Sequence, residues 1–381
     1  MKTKIDAPKT LSFSGELLLK MKNEGTISEI SLDLLRRTAD KHVASEALVV
    51  TKRNSRAVTG DPHDYSSVGP YWWPNPETPN GLPYIRRDGE IVPGSIEKIT
   101  PRLVARKIFE LALAAFYFES EEYGRASVKA IYDWHLNPET YMTPHAEYAQ
   151  SIPGICTGRG IGIVDFAYSY QIFDAVSILE FMGYIDEKTV TDLKKWYTDF
   201  TDWMLTSENA LTEDTELNNH GTFYDLQVLS MAIFTGREAL IKKICTTSYD
   251  RRVREQIGID GRQPLELART MAMHYSLANI RGLCMISNMA LANGYVNFIS
   301  DDTERGYCII KSAIDYIYPY VLDPKSFPYK ESHSAEVYPS IQDMMIMALK
   351  WADGHFWGEG YAELEKTLGV TNPIWFIHPY N

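Results

Sequence analysis

The chain has 381 residues, of which 45% are hydrophobic, 23% charged and 12% aromatic. This is the composition of a globular protein with a sizeable core. The formal net charge of −12 argues against nucleic acid as a partner, because binding to a phosphate backbone needs a basic surface. No apolar run approaches the roughly 20 residues that a membrane-spanning helix needs, so we predict no membrane span.

The N-terminal residues and the cysteines carry little functional signal. The first residues, MKTKIDAPKTLSFSGELLL, lack the continuous apolar segment of a signal peptide, so no intact signal peptide is predicted. The four cysteines have neither CxxC nor metal-ligand spacing, and we expect them to be small buried hydrophobic residues. They are Cys156, Cys245, Cys284 and Cys308. Disulfide bonds are neither required nor excluded.

Helical periodicity runs through most of the chain. In the clearest case, apolar residues recur at i, i+4, i+7, i+11 and i+14 from Val104 to Phe118. Similar patterns predict helices over roughly 28–48, 163–184, 187–206, 222–235, 237–256, 264–292, 304–321 and 338–352. Strand-like alternation is scarce, so the pattern indicates an all-α protein. A closed toroid of antiparallel helix pairs or a solenoid would fit, but no fixed-period repeat supports the solenoid.

Two segments interrupt the helical pattern. Residues 54–100 are rich in proline, glycine and aromatic residues, and residues 135–160 form a second irregular connection. An irregular segment this long is either functional or disordered, and its many aromatic residues favour order. We therefore expect an ordered loop that packs over something. No linker marks a domain boundary, so we predict a single domain over residues 1–381.

The sequence LNNHGTFYDLQ at 217–227 is a first candidate for chemistry. Asn218 and Asn219 are good N-caps, and a periodic helix follows them. His220 would then lie at a helix N-terminus, where free N–H groups favour an anion. A carboxylate bound there would meet Asn219 as a neutral donor and His220 as a donor or base. Helix capping alone would also explain both asparagines.

A second candidate lies in the predicted helix that follows Pro264. Arg269, His274 and Tyr275 fall within it. Because a helix turns by about 100° per residue, Arg269 and Tyr275 would point about 120° apart. They can reach one site only from the flank, or if the helix is irregular between them. By itself, a tyrosine in this position is most simply structural.

The two irregular segments supply candidates for substrate binding. Aromatic faces stack on sugar rings, and arginine side chains match carboxylates. The candidates are His63, Tyr65, Tyr71, Trp72, Trp73, Arg86 and Arg87 in the first segment, and His145, Tyr148, Gln150 and Arg159 in the second. Aromatic residues also build ordinary loop cores, and a solvated arginine in a glycine turn would equally explain Arg159.

Several common sites are absent from the sequence. It has no P-loop, no dinucleotide-binding glycine pattern, no HExxH sequence and no GxSxG sequence. The spacing of His145 and Glu147 is too weak to indicate a metal pair. We predict no metal and no cofactor.

Four ordered motifs carry a family resemblance. They are HDYSSVGPYWWPNP…GLPYIRRDGE, PGICTGRG, NNHGTFYD and PLELARTMAMHY, spread over residues 61–280. In this combination the chain resembles the alginate lyase family of helical-toroid polysaccharide lyases, with less likeness over residues 281–381. The sequence NNHG, in place of NNHS, is closer to a gut-Bacteroidetes-like branch of that family.

The resemblance implies an (α/α) toroid of about six to seven helical hairpins, with residues 54–100 as a lid loop. It implies a catalytic site of Asn219, His220, Arg269 and Tyr275, with His274 among the substrate-binding residues. The substrate would be an acidic polysaccharide, alginate or a related polyuronate. The enzyme would be secreted or periplasmic, with its signal peptide already removed. Its oligomeric state stays open.

The chemistry of β-elimination accounts for these residue types. Asn219 and Arg269, with help from His220, would neutralise the C6 carboxylate and stabilise the enediolate. Tyr275 could act as base and then acid on mannuronate or glucuronate, where the C5 proton and O4 lie on the same side. On guluronate, where they lie on opposite sides, His220 would be the base and Tyr275 the acid.

Two other functions fit parts of the sequence. An inverting glycoside hydrolase would need two carboxylates about 6.5–9.5 Å apart, and Glu147, Asp165, Asp225 and Glu266 are candidates. A noncatalytic glycan-binding protein would use the aromatic residues at 71–73. Within the lyase hypothesis, glucuronan or another polyuronate is an alternative substrate to alginate.

Overall fold

The computed structural model describes residues 6–295, 298 and 308–331, and these residues are mainly helical. The α-helices described are α1 (Gly15–Glu24), α2 (Glu29–Ala44), α3 (Thr100–Phe118), α4 (Glu121–His135), α5 (Tyr170–Met182), α6 (Glu187–Thr206), α7 (Glu208–Asp214), α8 (Asn219–Thr235), α9 (Glu238–Ser248), α10 (Pro264–Leu267), α11 (Ala272–Ala292) and α12 (Ile309–Leu322). The strands described are β1 (Ser66–Val68), β2 (Trp72–Trp73), β3 (Ile85–Arg86) and β4 (Tyr148–Ser151). The predicted all-α class is confirmed.

The chain divides into two compact units. The central unit consists of Ala39–Thr215 and Phe234–Gly236, and the terminal unit of Met1–Thr38, Glu216–Ile233 and Arg237–Asn381. The prediction of a single domain over residues 1–381 stays a prediction.

Helix α3 forms the core of the central unit and packs against α4 and α5. Its predicted apolar stripe is buried from Val104 to Ala115, and even the polar residues Lys107 and Glu110 on other faces are buried. Such a helix needs partners for its charges: His42 and Arg106 each lie 2.6 Å from the Glu110 carboxylate. The helix is therefore surrounded on most sides, as the near-continuous hydrophobicity of its sequence indicates.

The two irregular segments of the central unit are ordered and joined to each other. Strand β1 pairs in parallel with β4, and β2 pairs antiparallel with β3, which forms a hairpin. The Tyr84 N–H donates to the Pro153 carbonyl at 3.0 Å, and the Gly69 N–H to that of Ser151 at 2.9 Å. The expectation of an ordered aromatic segment is confirmed, although both segments contain short strands that the sequence pattern did not reveal.

In the terminal unit, α8 and α11 approach closely. A Cβ atom on Gly282 of α11 would lie only 2.8 Å from Cγ2 of Thr222 on α8. Helix α11 begins at Ala272 because residues 268–271 leave the helical path, with Met271 at φ −126° and ψ 60°. Met271 instead bridges to Glu331, whose Oε2 accepts the Met273 N–H at 2.9 Å. The predicted continuous helix over 264–292 is therefore wrong.

The other helix predictions compare as follows. The helix over 187–206 is confirmed at both ends, and those over 28–48, 222–235 and 304–321 correspond to α2, α8 and α12. The prediction over 237–256 covers α9 and a π-helical turn, Tyr249–Arg254, and that over 163–184 covers the end of a 3₁₀ helix and α5. The predicted helix over 338–352 lies outside the described residues. Helices α1, α4 and α7 were not predicted.

Two further expectations concern the cysteines and the membrane. Cys245, Cys284 and Cys308 are buried and Cys156 is half-buried, and all four are free thiols. Within the described part of the chain, no helix combines the length and the hydropathy needed to cross a bilayer.

Candidate active site

The N-terminus of α8 is capped by Asn218. Its Oδ1 accepts the His220 N–H at 2.8 Å, and its Nδ2 donates to Glu216 at 3.0 Å. This is the side-chain cap that the residue type favours. Asn219 is already the first helical residue, so its side chain is not needed for capping. The capping role predicted for the two asparagines therefore belongs to Asn218.

Asn219 is held by Glu266 of α10. The carboxylate Oε1 accepts the Asn219 backbone N–H at 2.5 Å and its Nδ2 at 2.9 Å, while Oε2 lies 3.0 Å from Nδ2. The exposed fraction is 3% for Asn219 and 1% for Glu266. Burial raises the pKa of Glu266, although the hydrogen bonds from Asn219 and the charges of His220 and Arg269 act in the opposite direction.

Arg269 and Tyr275 meet because the helix between them is interrupted. The guanidinium carbon of Arg269 lies 4.2 Å from the centroid of the Tyr275 ring. Arg269 Nε is buried and, among the described residues, has no hydrogen-bond partner. The His274 ring stands edge-on to that of Tyr275, with centroids 5.4 Å apart. Of the two possibilities that the sequence left for Arg269, the structure has the irregular helix.

A buried polar network lies beside these residues and connects α8 with α11. Gln256 Oε1 accepts Thr222 Oγ1 at 3.0 Å and Asn279 Nδ2 at 2.8 Å. Asn279 Nδ2 also lies 2.8 Å from Gln263 Oε1, and Gln263 Nε2 donates to the Ser276 carbonyl at 3.1 Å. Gln263 immediately precedes α10, so the network ties the element that bears Glu266 to the helix that bears Tyr275.

Gly221, the residue that departs from the NNHS pattern, sits in a space without room for a side chain. A Cβ atom there would overlap the carbonyl oxygen of Glu216 and lie 2.5 Å from Nη1 of Arg252. Arg252 forms a bidentate ion pair with Asp225, in which Nε donates to Oδ2 and Nη2 to Oδ1, both at 2.9 Å. The backbone of Glu216 and the buried arginine together therefore require glycine at position 221.

Tyr65 and Gln150, two of the predicted substrate-binding residues, are buried in the central unit. Tyr65 has no exposed surface and Gln150 is 4% exposed. Both donate to Asp165, Tyr65 Oη at 2.8 Å and Gln150 Nε2 at 2.7 Å, and Ser67 Oγ adds a third bond at 2.9 Å. Burial raises the pKa of Asp165. Both side chains thus hold a buried carboxylate, and their assignment to substrate contact stays a prediction.

Arg159 is fixed by Gln150 rather than solvated. Its Nε donates to the Gln150 carbonyl at 2.9 Å and its Nη2 to Gln150 Oε1 at 3.2 Å. Gln150 has a left-handed φ of 48°, which is unusual outside glycine. A Cβ atom on Gly69 would lie 2.6 Å from Arg159 Nη2, so this glycine makes room for the guanidinium.

The β2–β3 hairpin presents aromatic and basic side chains together. Tyr71, Trp72 and Trp73 are half-buried, and the Arg86 side chain is 59% exposed and pairs with Asp88 at 2.8 Å. The guanidinium carbon of Arg87 lies 5.2 Å from the Trp73 ring centroid. These residues keep surface available for a sugar chain.

Three further predicted substrate-binding residues, His63, His145 and Tyr148, lie in the two irregular segments of the central unit. His63 stacks on Tyr141 with centroids 4.3 Å apart. His145 Nε2 is 3.1 Å from Asp64, and its ring stands edge-on to Tyr148 at 5.7 Å. All three are half-buried, so they stay candidates for substrate contact.

Sequence reasoning did not identify the partner of Asn219. No spacing rule joins Glu266 to Asn219, because 47 positions separate them, so the sequence indicates Glu266 only as a candidate acid of a hydrolase. The acidic residue three positions before Arg269 was visible, but its partner depends on how α10 packs. Among the described residues, no group of three or more His, Cys, Asp or Glu side chains is arranged to hold a metal ion.

Comparisons with known proteins identify the family of this chain. The family model described as alginate lyase matches residues 49–327. The crystal structure of an alginate lyase from Bacteroides ovatus is 31% identical, with a TM-score of 0.87, and the match covers 96% of this chain and 97% of that one. Alginate lyase A1-III from Sphingomonas species A1 is 13% identical, with a TM-score of 0.48 and coverage of 91% and 90%. Comparison with curated proteins gives no significant match.

The Bacteroides likeness confirms the predicted (α/α) toroid class, and the family match confirms the resemblance on which the polysaccharide lyase prediction rests. The matched residues include all four predicted catalytic positions, from Asn219 to Tyr275. The chain belongs to the alginate lyase family.

Proposed function

We propose that this protein cleaves a 1,4-linked uronate polymer, with alginate as the first choice, by β-elimination. The observation that carries the proposal is the contact between Arg269 and Tyr275, which pairs a permanent cation with a potential proton carrier. The charges of His220 and Arg269 both act on Glu266, so these residues belong to one cluster with Asn219.

The first step of the reaction needs the substrate carboxylate to be neutralised. The C5 proton is weakly acidic while the C6 carboxylate is charged, and an enediolate develops as the proton leaves. Asn219 supplies a neutral donor and Arg269 a positive one, with help from His220. Donors that are fixed in place before the reaction stabilise such a charge most effectively.

The second requirement is a base for C5 and an acid for O4. For mannuronate or glucuronate, Tyr275 takes the C5 proton and delivers a proton to O4 on the same side. For guluronate, His220 takes the proton and Tyr275 protonates O4 from the opposite side. If Tyr275 acts as the base it must do so as a phenolate, and the guanidinium of Arg269 over its ring would balance that negative charge.

We assign substrate binding to the β2–β3 hairpin of the central unit and to partly exposed polar and aromatic residues elsewhere. Trp72 and Trp73 offer faces for sugar rings, and Arg86 and Arg159 offer positive charge in a chain whose net charge is −12. The same assignment extends to the half-buried residues named above: Tyr71, His63, His145, Tyr148 and His274. In this proposal residues 54–100 act as a lid over the bound chain.

We also propose that the enzyme acts outside the cytoplasm and needs no metal ion. A polymer too large to enter a cell would be met by a secreted or periplasmic enzyme. Protein donors carry out the neutralisation that a metal ion performs in other lyases, so activity should survive chelation.

The hydrolase alternative is less favoured because protein donors already hold its candidate carboxylates. The donors are Trp203, Ser207 and Asn209 for Glu147; Tyr65, Ser67 and Gln150 for Asp165; Ser248 and Arg252 for Asp225; and Asn219 for Glu266. Asp165, Asp225 and Glu266 are also buried. A noncatalytic glycan-binding role would use only the hairpin and leave the Arg269–Tyr275 pair without a purpose.

One experiment separates the three functions. The protein is incubated with polymannuronate, polyguluronate, mixed alginate and glucuronan, with and without a chelator, while ultraviolet absorbance and reducing ends are followed. Elimination produces a conjugated C4–C5 double bond, hydrolysis produces reducing ends without it, and binding produces neither. Absence of the absorbance on every polymer would refute the proposed function.

A further inference from the structure

The carboxylate of Glu266 is buried beside the proposed catalytic residues, yet the elimination assigns it no step. Among the described residues, all of its hydrogen-bond donors come from Asn219: the backbone N–H and the side-chain Nδ2. Glu266 is only 1% exposed, so substrate cannot reach it directly. Any influence it has on the reaction must pass through another residue.

The hydrogen bonds determine the orientation of the Asn219 amide. An ionised carboxylate only accepts hydrogen bonds, so it can face the Nδ2 end of the amide but not the Oδ1 end. One Nδ2 hydrogen is directed at Glu266, and the second hydrogen is left to point elsewhere. Without the carboxylate, rotation of the amide by 180° would present an oxygen acceptor in place of that donor.

We propose that Glu266 is a positioning residue: it fixes the Asn219 amide so that the second Nδ2 hydrogen faces the substrate carboxylate during enediolate formation. This inference rests on the proposed lyase function. The positive charges of His220 and Arg269 act on the same carboxylate, so Glu266 also interacts with the groups that Asn219 works with.

The substitution Glu266→Gln tests the orientation with little change in volume. It places an NH2 group where Oε2 now lies 3.0 Å from Asn219 Nδ2 and leaves only Oε1 to accept from Asn219, so the side chain no longer holds the amide in one orientation. Small misplacements of a catalytic group cost up to about 100-fold in rate. We expect kcat to fall at least about tenfold with KM within about twofold, because the lost interaction forms mainly in the transition state.

A double-mutant cycle separates positioning from independent effects. The variants are Glu266→Gln, Asn219→Ala and their combination, measured by ultraviolet absorbance on the best polyuronate. If Glu266 acts through Asn219, adding Glu266→Gln to Asn219→Ala changes kcat by less than about twofold. The matched control is Glu110→Gln. Glu110 is 1% exposed, like Glu266, but it lies in the central unit and not beside Asn219. We expect this control to change kcat by the same small factor in both backgrounds.

The variant Glu266→Asp provides a second measurement. It keeps the charge but is one methylene shorter, so it cannot reach both donors of Asn219, and kcat should fall as well. Thermal unfolding of each variant checks that it is folded; if Glu266→Gln is not, the cycle is run with Glu266→Asp.

Several outcomes would overturn the inference. They are wild-type kcat in Glu266→Gln or Glu266→Asp, or losses that multiply in full on the Asn219→Ala background. If the wild-type enzyme forms no unsaturated product on any polyuronate, the proposed function falls and the role of Glu266 falls with it. If product forms but the losses multiply, only the role of Glu266 is refuted.

Discussion

The guanidinium of Arg269 lies over the ring of Tyr275, 4.2 Å from its centroid, although six positions separate the two residues. A continuous helix would point them about 120° apart. The four-residue helix α10 ends before Arg269, and α11 starts afresh at Ala272, which turns the arginine back over the ring. The proposed active site therefore depends on a defect in a helix.

The first prediction concerns the hydroxyl group of Tyr275. In Tyr275→Phe the ring and its contact with Arg269 stay, but the proton carrier is lost. We expect kcat to fall by about 10² to 10⁴-fold, the usual contribution of a general acid or base. The measurement is the initial rate of ultraviolet absorbance increase. Tyr132→Phe, at a tyrosine of α4 that is 44% exposed, is the control and should keep wild-type activity. Full activity of Tyr275→Phe would refute the proposed mechanism.

The second prediction concerns the guanidinium of Arg269. Lysine keeps the charge but loses the planar donor fork, so Arg269→Lys should lower kcat/KM by about 10 to 100-fold. Arg254→Lys is a matched control, because Arg254 also lies over a tyrosine, 5.2 Å from the ring centroid of Tyr249, outside the proposed site. If both variants lose activity equally, or neither does, Arg269 has no special role in the reaction.

The third prediction concerns Gly221. The variant Gly221→Ser recreates the NNHS sequence, but its side chain would collide with Glu216 and Arg252. We expect a loss of about 1–3 kcal/mol in the free energy of unfolding, as for other overpacked sites. Urea denaturation measures it. Gly94→Ser is the control, because nothing lies within 4 Å of a Cβ atom at that position. A Gly221→Ser variant as stable as the control would show that both the Glu216 backbone and Arg252 can move aside, which would contradict the packing requirement at this position.

The fourth prediction concerns His135, which is 2% exposed at the end of α4. Burial lowers its pKa from 6.5 to about 4. The unfolded chain therefore binds a proton first as the pH falls, so the stabilising effect of the neutral histidine is present above pH 6.5 and is lost between about 6.5 and 4. The loss should amount to about 3 kcal/mol.

The test of this prediction compares wild type with His135→Gln in urea denaturation across that pH range. The difference in unfolding free energy at about pH 8, where the histidine is neutral in both states, reports the packing change alone. Below that, the wild type should lose stability more steeply than the variant. Parallel curves for the two proteins would contradict the assignment.

How far the sequence predicts this protein depends on the range of the interactions involved. The helix over 187–206 follows from local periodicity, and both of its ends are confirmed; in the structure Asp186 caps its N-terminus. Helix α4 was not predicted because its sequence, EEYGRASVKAIYDWH, interleaves glycine, serine and charged residues with its apolar residues. The strands are too short, at two to four residues, for alternation to be recognised.

The candidate site was predicted by motif resemblance and not by spacing. Local sequence patterns predict the cap at Asn218. They also show that a continuous helix would point Arg269 and Tyr275 about 120° apart, but they do not predict that the helix is interrupted between them. The break is tied to Glu331, 60 positions after Met271, which bridges to it. Residue type alone predicts that Tyr65 and Gln150 contact substrate, but it does not predict their burial around Asp165, which depends on contacts about 15 to 100 positions away in sequence.

The hydrogen bonds between the two irregular segments limit how this enzyme could be redesigned. Strand β1 needs β4, and the Tyr84 N–H needs the Pro153 carbonyl. A graft of residues 54–100 alone from another lyase would meet a foreign β4 and leave backbone donors unpaired. Exchange of specificity between relatives should therefore succeed only when residues 54–100 and 135–160 are transplanted as a pair.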